Sequence, residues 1–159
     1  MKHMATIEEE IKSTFESEQH KAILNVMFTA NWLKARHNAL LAPFGLSVQQ
    51  FNILRILRGA KGEKVNMHCV KERMIDRAPN ATRLTDKLIA KELVLRERCK
   101  DDRRVVYVRI SQAGLDLLEQ VNGVVRADME LINAGLSGAH ATVINNVLDD
   151  LRDESRAGK

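Results

Sequence analysis

The sequence predicts a mainly α-helical protein with a small β-hairpin (an α+β fold), and one stretch near its middle carries most of that prediction. Apolar residues at helical spacing, Leu84 and Leu88 among them, predict a helix over Ala78–Lys91. Two short runs rich in β-branched residues follow, Val94–Cys99 and Val105–Ile110, with a polar, turn-prone segment between them. A helix followed at once by a basic hairpin is the order of parts in a winged helix-turn-helix, whose helix enters a groove of nucleic acid.

The composition fits one globular domain with its own core, since the 159 residues are 45% hydrophobic and 29% charged. No apolar run approaches the roughly 20 residues that span a bilayer. The widely separated Cys69 and Cys99 are typical of reduced thiols in a cytoplasmic protein, although the basic neighbours of Cys99 leave a reactive thiol open. We therefore expect a cytoplasmic protein with no membrane partner.

The positive charge is concentrated in the predicted helix and hairpin. The net charge of the chain is +4, and residues 71–109 contain 12 Lys and Arg against 7 Asp and Glu, a local net charge of +5. The remaining 13 basic and 14 acidic residues sum to −1. This distribution is the one expected of a phosphate-binding face, although a solvated basic surface would look the same by charge alone.

Capping residues and apolar spacing predict the remaining elements. A long amphipathic pattern runs from about His20 to Leu41, where Pro43 and Gly45 end it. Val65 is predicted to form a short strand that pairs with the hairpin. The other helices are predicted to begin at polar capping residues, which are Thr6, Ser47, Asn66 (for a helix to about Ile75), Ser111 and Ser137.

The predicted elements form a single domain over residues 1–159, with a winged-helix lobe at 46–110 and helical regions at 6–44 and 111–155. Neither terminal region alone can bury its apolar stripes, which favours a two-fold dimer in which the terminal helices of both subunits interlock. A monomer whose terminal helices pack on each other is the alternative. In a dimer, the two copies of the helix predicted over Ala78–Lys91, the reading helix, would face successive major grooves about 34 Å apart.

The start of the predicted helix carries side chains suited to reading bases. In a helix-turn-helix these positions approach the base edges of the major groove. Asn80 can pair with adenine and Arg83 with guanine, while Ala81 and Thr82 can meet thymine methyl groups. The alternatives are that Asn80 only caps the helix and that a carboxylate holds Arg83.

Other residues are suited to phosphates and to the minor groove. Thr85 and Lys87 are predicted to contact phosphates, which position a protein without specifying sequence. At the hairpin tip, Arg103 and Arg104 can enter a narrow A·T-rich minor groove, and Asp102 would brace an arginine through a bidentate pair. Two exposed arginines without a role are the alternative. The predicted DNA-binding residues are Pro79, Asn80, Ala81, Thr82, Arg83, Thr85, Lys87, Arg103 and Arg104.

These motifs together resemble the MarR family of bacterial winged helix-turn-helix regulators. The family's wing carries Asp-x-Arg, an alternating strand and then Thr/Ser-x-x-Gly, and here Asp102–Arg104 is followed by Val105–Ile110 and Ser111–Gly114. The recognition helix, with Thr82–Leu88, also resembles the family's, and the likeness covers about residues 20–152. The resemblance implies a homodimeric, sequence-specific transcriptional regulator, more typically a repressor, that binds a pseudo-palindromic operator in double-stranded DNA.

One residue departs from the family pattern. The family usually has glycine where the recognition helix ends, and this chain has Glu92. Glycine accepts a left-handed conformation at no steric cost, whereas glutamate there would cost about 1 kcal/mol. Either this helix ends differently or the strain is tolerated.

The resemblance also implies a small aromatic, commonly phenolic, or carboxylate effector that switches DNA affinity. Trp32, Arg36, His37 and Phe51 are the candidate effector-binding residues, although the two aromatic residues at helical spacing are also typical of a core. The histidines lack metal-ligand spacing, no cofactor motif is present, and the motifs of common enzyme classes are absent. The competing interpretation is a non-specific architectural DNA-binding protein.

Overall fold

The computed structural model describes residues 5–76, 80–98 and 105–153. A short 3-10 helix, Ala42–Phe44, directly follows the long helix that ends at Leu41. The helices are α1 (Ile7–Ile11), α2 (Glu18–Leu41), α3 (Val48–Gly59), α4 (Met67–Arg73), α5 (Ala81–Ala90), α6 (Gln112–Asn133) and α7 (Gly138–Leu151), and the strands are β1 (Val65–Asn66), β2 (Val94–Arg98) and β3 (Val106–Ile110). This mainly helical architecture with a small antiparallel sheet confirms the predicted fold class.

The sheet is a hairpin with one added short strand. Its order within the described residues is β1-β3-β2, and both pairings are antiparallel. Val65 lies opposite Val108, so the predicted strand stub is confirmed and extends by one residue. The β2–β3 pairing runs from Val94 opposite Ile110 to Arg98 opposite Val106.

Capping side chains begin α1, α3, α4 and α7 where the sequence predicts them, whereas α5 begins at Ala81, three residues later than predicted, with Asn80 as its N-cap. Ser47 forms a capping box with Gln50, and the Asn66 side chain accepts a hydrogen bond from the backbone N–H of His68 at 2.8 Å. α2 begins two residues earlier than the apolar pattern indicates, because Ser17 is its N-cap. α4 ends at Arg73, short of the predicted end at Ile75.

The chain forms two compact units, Met1–Leu118 and Glu119–Lys159. No single helix in the described ranges is long and apolar enough to cross a membrane; only α2 with its 3-10 extension and α3, bent by 76° from each other, would pass together by length and composition. In the first unit an aliphatic core packs α5 and the sheet against α3 and α4. Its most buried members are Leu41, Ile53, Leu54, Leu57, Val70, Leu88, Val94 and Val108.

Large apolar side chains remain exposed on both terminal regions. On α2 they are Ile23, Val26, Met27, Phe28 and Trp32. In the second unit they are Val124, Leu131, Leu136, Val143, Ile144, Val147 and Leu151. None of the residues of α7, all of which the structure describes, is buried. Apolar faces of this extent mark interaction surfaces on a folded protein.

Candidate nucleic-acid interface

α5 has one buried face and one exposed polar face. Ala81, Thr85 and Leu88 are at most 1% exposed, and they recur at the spacing that puts residues on one side of a helix. On the opposite side the side chains of Thr82, Arg83, Asp86 and Lys87 are exposed. The helix therefore presents a polar stripe that is free of packing within the lobe.

Two predicted DNA-binding residues lie on the wrong side of this helix. Ala81 is 0% exposed and Thr85 is 1% exposed, so neither side chain reaches a duplex laid against the polar stripe. The Thr85 hydroxyl instead donates a hydrogen bond to the backbone oxygen of Ala81 at 2.9 Å. The prediction that these two residues contact DNA is corrected: both pack the helix onto the lobe.

The other predicted residues of the reading helix are placed as follows. Asn80 is exposed at the N-cap position, but its side chain makes no capping hydrogen bond, so the capping alternative does not account for it. Arg83 has no ion pair with a carboxylate in the described ranges. Asp86, one turn further on, pairs with Arg96 of β2 at 3.0 Å. This contact, which the sequence interpretation missed, ties the reading helix to the wing.

Four predicted site residues lie outside the described residues: Pro79, Asp102, Arg103 and Arg104. Cys99 also lies outside them. Their proposed roles therefore stay predictions. On the described part of the wing, the side chains of Arg96, Arg98 and Arg109 are exposed, so the strands carry basic residues up to the ends of the described hairpin.

The C-terminal end of α5 is a Schellman motif with glutamate where glycine is usual. The backbone N–H groups of Glu92 and Leu93 donate to the oxygens of Ile89 and Leu88 at 2.8 and 3.0 Å, which are the two bonds of that motif. Glu92 has φ +59°, so it adopts the left-handed conformation. The strain anticipated from the sequence is present and tolerated.

The Ser-x-x-Gly motif holds the end of the reading helix against α6. The Ser111 hydroxyl donates to the Glu92 oxygen at 2.7 Å and accepts from the Gly114 N–H at 3.0 Å. A Cβ atom on Gly114 would lie 2.3 Å from the Leu93 oxygen. Only glycine allows this approach, so the motif fixes the wing and reading helix to the start of α6.

The candidate effector residues are not all brought together. Phe51 is 8% exposed and belongs to the core, as the alternative interpretation has it. Trp32 is 47% exposed, and the Arg36 guanidinium lies 5.7 Å from its ring centroid. His37 is half-buried, and its Nε2 finds no hydrogen-bond partner in the part of the chain that the structure describes. No cluster of metal-ligating residues occurs among the described side chains.

Trp32 lines an open groove of about 320 Å³ between α1 and α2. Ile7 and Glu10 of α1 and Phe28 of α2 also line it. Glu8 of α1 pairs with Lys21 of α2, and this contact holds the pKa of the Glu8 carboxyl below its usual range and raises the pKa of Lys21. The groove thus has aromatic, apolar and acidic walls.

Comparison with known proteins agrees with this geometry. The family model described as transcriptional regulator SarA/Rot matches residues 35–121. A helix-turn-helix-type transcriptional regulator of Bacillus subtilis (strain 168), YpoP, is 36% identical over 77 residues, which are 48% of this chain and 53% of that protein. This chain thus spans about half the length of that curated relative.

Solved structures match over most of the chain. A MarR transcription factor from Planctomyces limnophilus is 33% identical, with a TM-score of 0.68 and coverage of 86% of this chain and 98% of that one. A mutant MarR from E. coli complexed with operator DNA (22% identical, TM-score 0.70, coverage 93% and 99%) and NadR in complex with 4-hydroxyphenylacetate (18%, 0.67, 89% and 99%) show the shared fold.

Proposed function

This chain belongs to the MarR family of winged-helix transcriptional regulators, and we propose that it binds a pseudo-palindromic operator in double-stranded DNA as a homodimer. The observation that carries the proposal is the polar stripe of α5. Thr82, Arg83 and Lys87 point away from a face that is almost completely buried, and the basic wing lies beside them. We expect the protein to act in the bacterial cytoplasm, and as a repressor.

In this mechanism α5 enters the major groove. Asn80, Thr82 and Arg83 read base edges near its N-terminus, and Lys87 contacts a phosphate one turn later. The wing follows the backbone, and its tip residues Arg103 and Arg104 are proposed from the sequence to enter the flanking minor groove, with Asp102 bracing them. Pro79, which precedes the helix in sequence, is likewise proposed from the sequence to be a DNA-binding residue.

The exposed apolar faces support the homodimer. We propose that residues 6–44 and 111–155 form the dimerisation region and that 46–110 form the DNA-binding lobe of each subunit. Two lobes related by a two-fold axis would meet half-sites about one helical turn apart. An effector would change the spacing of the lobes and shift the population away from the geometry that fits DNA.

The effector proposal rests on the groove beside Trp32. An aromatic ring can stack on that side chain. Arg36, which lies over the indole but is not among the residues that line the groove, is proposed from the sequence to pair with a phenolate or carboxylate. NadR, which shares the fold, was solved with the aromatic acid 4-hydroxyphenylacetate. His37 stays a candidate because its Nε2 has an unused hydrogen-bonding capacity among the described residues.

The test is selection of bound sites from random duplex DNA at about 0.15 M salt, with the mass of the free protein measured in parallel. Enrichment of an inverted repeat with half-sites about one turn apart is the expected result. Steeply salt-dependent binding without an enriched motif would instead identify a non-specific architectural DNA-binding protein. No binding to any duplex would contradict both functions.

A further inference from the structure

Ile75 and Asp76, which follow α4, are held by polar contacts with two other helices. The Asp76 carboxylate accepts a hydrogen bond from Gln49 Nε2 of α3 at 3.2 Å, and its Oδ2 lies 3.8 Å from Lys34 Nζ of α2. One residue earlier, the backbone N–H of Ile75 donates to Asn52 Oδ1 of α3 at 3.0 Å. α2 and α3 therefore both contact the Asp76 carboxylate.

Burial alone does not fix the described residues that follow α4. Met74 is buried at 3% exposure, but the Ile75 side chain, next along the chain, is 91% exposed and contributes no packing. Asp76 precedes Asn80, the N-cap of α5, by four residues. Beyond Met74, the described contacts of Ile75 and Asp76 are thus hydrogen bonds and one ion pair rather than apolar packing.

We propose that Asp76 is a positioning residue for operator recognition, and that its contact with Lys34 makes the placement of α5 depend on α2. This inference rests on the proposed DNA-binding function. α2 carries Trp32 and Arg36, so a molecule bound beside them would act on the helix that supplies Lys34. The pair is exposed on both sides, so it modulates affinity several-fold and does not act as an on-off switch.

The signs of the two charges make the proposal testable. Asp76→Asn removes a negative charge beside a DNA-binding face, and simple electrostatics predicts tighter binding to phosphates. Lys34→Gln removes a positive charge and predicts weaker binding on the same grounds. If the pair positions α5, both variants instead weaken binding to the selected operator, by about two- to five-fold. Affinity for a random-sequence duplex stays unchanged or rises for Asp76→Asn, and for Lys34→Gln it falls less than affinity for the operator.

Combined variants separate positioning from a general loss of structure. The charge swap, Lys34→Asp with Asp76→Lys, should restore operator affinity to within about two-fold, and Lys34→Gln should have no further effect once Asp76→Asn is present. Asp116→Asn, which removes a carboxylate bonded only within α6 among the described contacts, serves as the control and should leave the affinity unchanged.

Several results would overturn the inference. Opposite shifts of the two single variants would show that only charge matters, and an equal loss of affinity for operator and random duplex by Asp76→Asn would show a merely structural role. Either result, with wild-type binding intact, contradicts this inference and leaves the proposed function standing. Failure of the wild-type protein to bind any duplex would overturn both.

Discussion

Glu92 has a strained backbone conformation at a position whose structural roles use only the backbone. Its φ of +59° lies in the left-handed region, where a Cβ atom approaches the following carbonyl oxygen and costs on the order of 1 kcal/mol. The position closes the Schellman motif that ends α5, and it provides the oxygen to which Ser111 donates. Both roles use only the backbone, so a residue without Cβ can fill them better.

We expect Glu92→Gly to raise the free energy of unfolding by about 0.5–1 kcal/mol, because glycine removes the strain and loses part of the gain to the entropy of the unfolded chain. Thermal denaturation at fixed protein concentration should show a rise of about 2–4 °C. Glu119→Gly, in the regular part of α6, is the control and should lower stability by about 1 kcal/mol. A loss at both positions would contradict the assignment of strain to residue 92.

Gly114→Ala should have the opposite effect for a steric reason. The added Cβ would lie 2.3 Å from the Leu93 oxygen and 2.8 Å from Ile110 Cγ1, so α6 must move away from the wing. We expect the free energy of unfolding to fall by about 1–3 kcal/mol in urea denaturation. Gly59→Ala, where nothing lies within 4 Å of the new methyl group, should be neutral or slightly stabilising. Equal effects would mean that the close approach is not a constraint.

The roles of the α5 residues were only partly predictable from the sequence. Thr82, Arg83 and Lys87 are exposed as a DNA contact requires, but Ala81 and Thr85 are buried. The pattern of α5 alone could not decide this, because alanine and threonine are tolerated on either side of a helix. Leu88 sets the buried face, and the spacing of Ala81 and Thr85 from it was the available signal.

The elements, by contrast, followed closely from local signals. Capping boxes at Thr6 and Ser47 and the Asn66 cap begin helices where they were expected, because a capping hydrogen bond depends on residues only a few positions apart. Contacts between elements did not follow. The Asp86–Arg96 pair and the Asp76 contacts join residues that are distant in sequence and carry no local pattern.

The reading helix offers a matched pair of basic residues one turn apart. If Arg83 contacts a base and Lys87 a phosphate, Arg83→Ala should cost about 1–3 kcal/mol for the operator and relax the sequence preference at one position. Lys87→Ala should weaken binding to all duplexes alike and reduce the salt dependence by about one ion. Titrations against the operator and single-base variants at several salt concentrations distinguish them. Uniform weakening by Arg83→Ala would make Arg83 a phosphate contact.

At the scale of the whole molecule, the exposed apolar faces support the proposed dimer. α7 carries Val143, Ile144, Val147 and Leu151 at 45% exposure or more, and α2 carries Met27 at 58% and Trp32 at 47%. Water would order around this surface in a monomer, and burying it at about 25 cal/mol per Å² favours association. The sequence indicated such faces by helical periodicity, but it could not specify which copy or segment covers them.

Val147→Asp tests whether a second copy of the chain covers α7. Val147 is 58% exposed, so a carboxylate there is tolerated in the folded subunit but would be desolvated without a partner in a dimer interface. We expect sedimentation to show a monomer at concentrations where the wild-type protein is dimeric, and operator affinity to fall by at least about 100-fold, because a single lobe binds one half-site.

Asn146→Asp adds the same charge at the preceding exposed polar position and should leave the dimer intact. Dissociation by both substitutions would indicate a general charge effect. A dimer that persists with Val147→Asp would place the subunit interface elsewhere and separate α7 from the proposed dimerisation region.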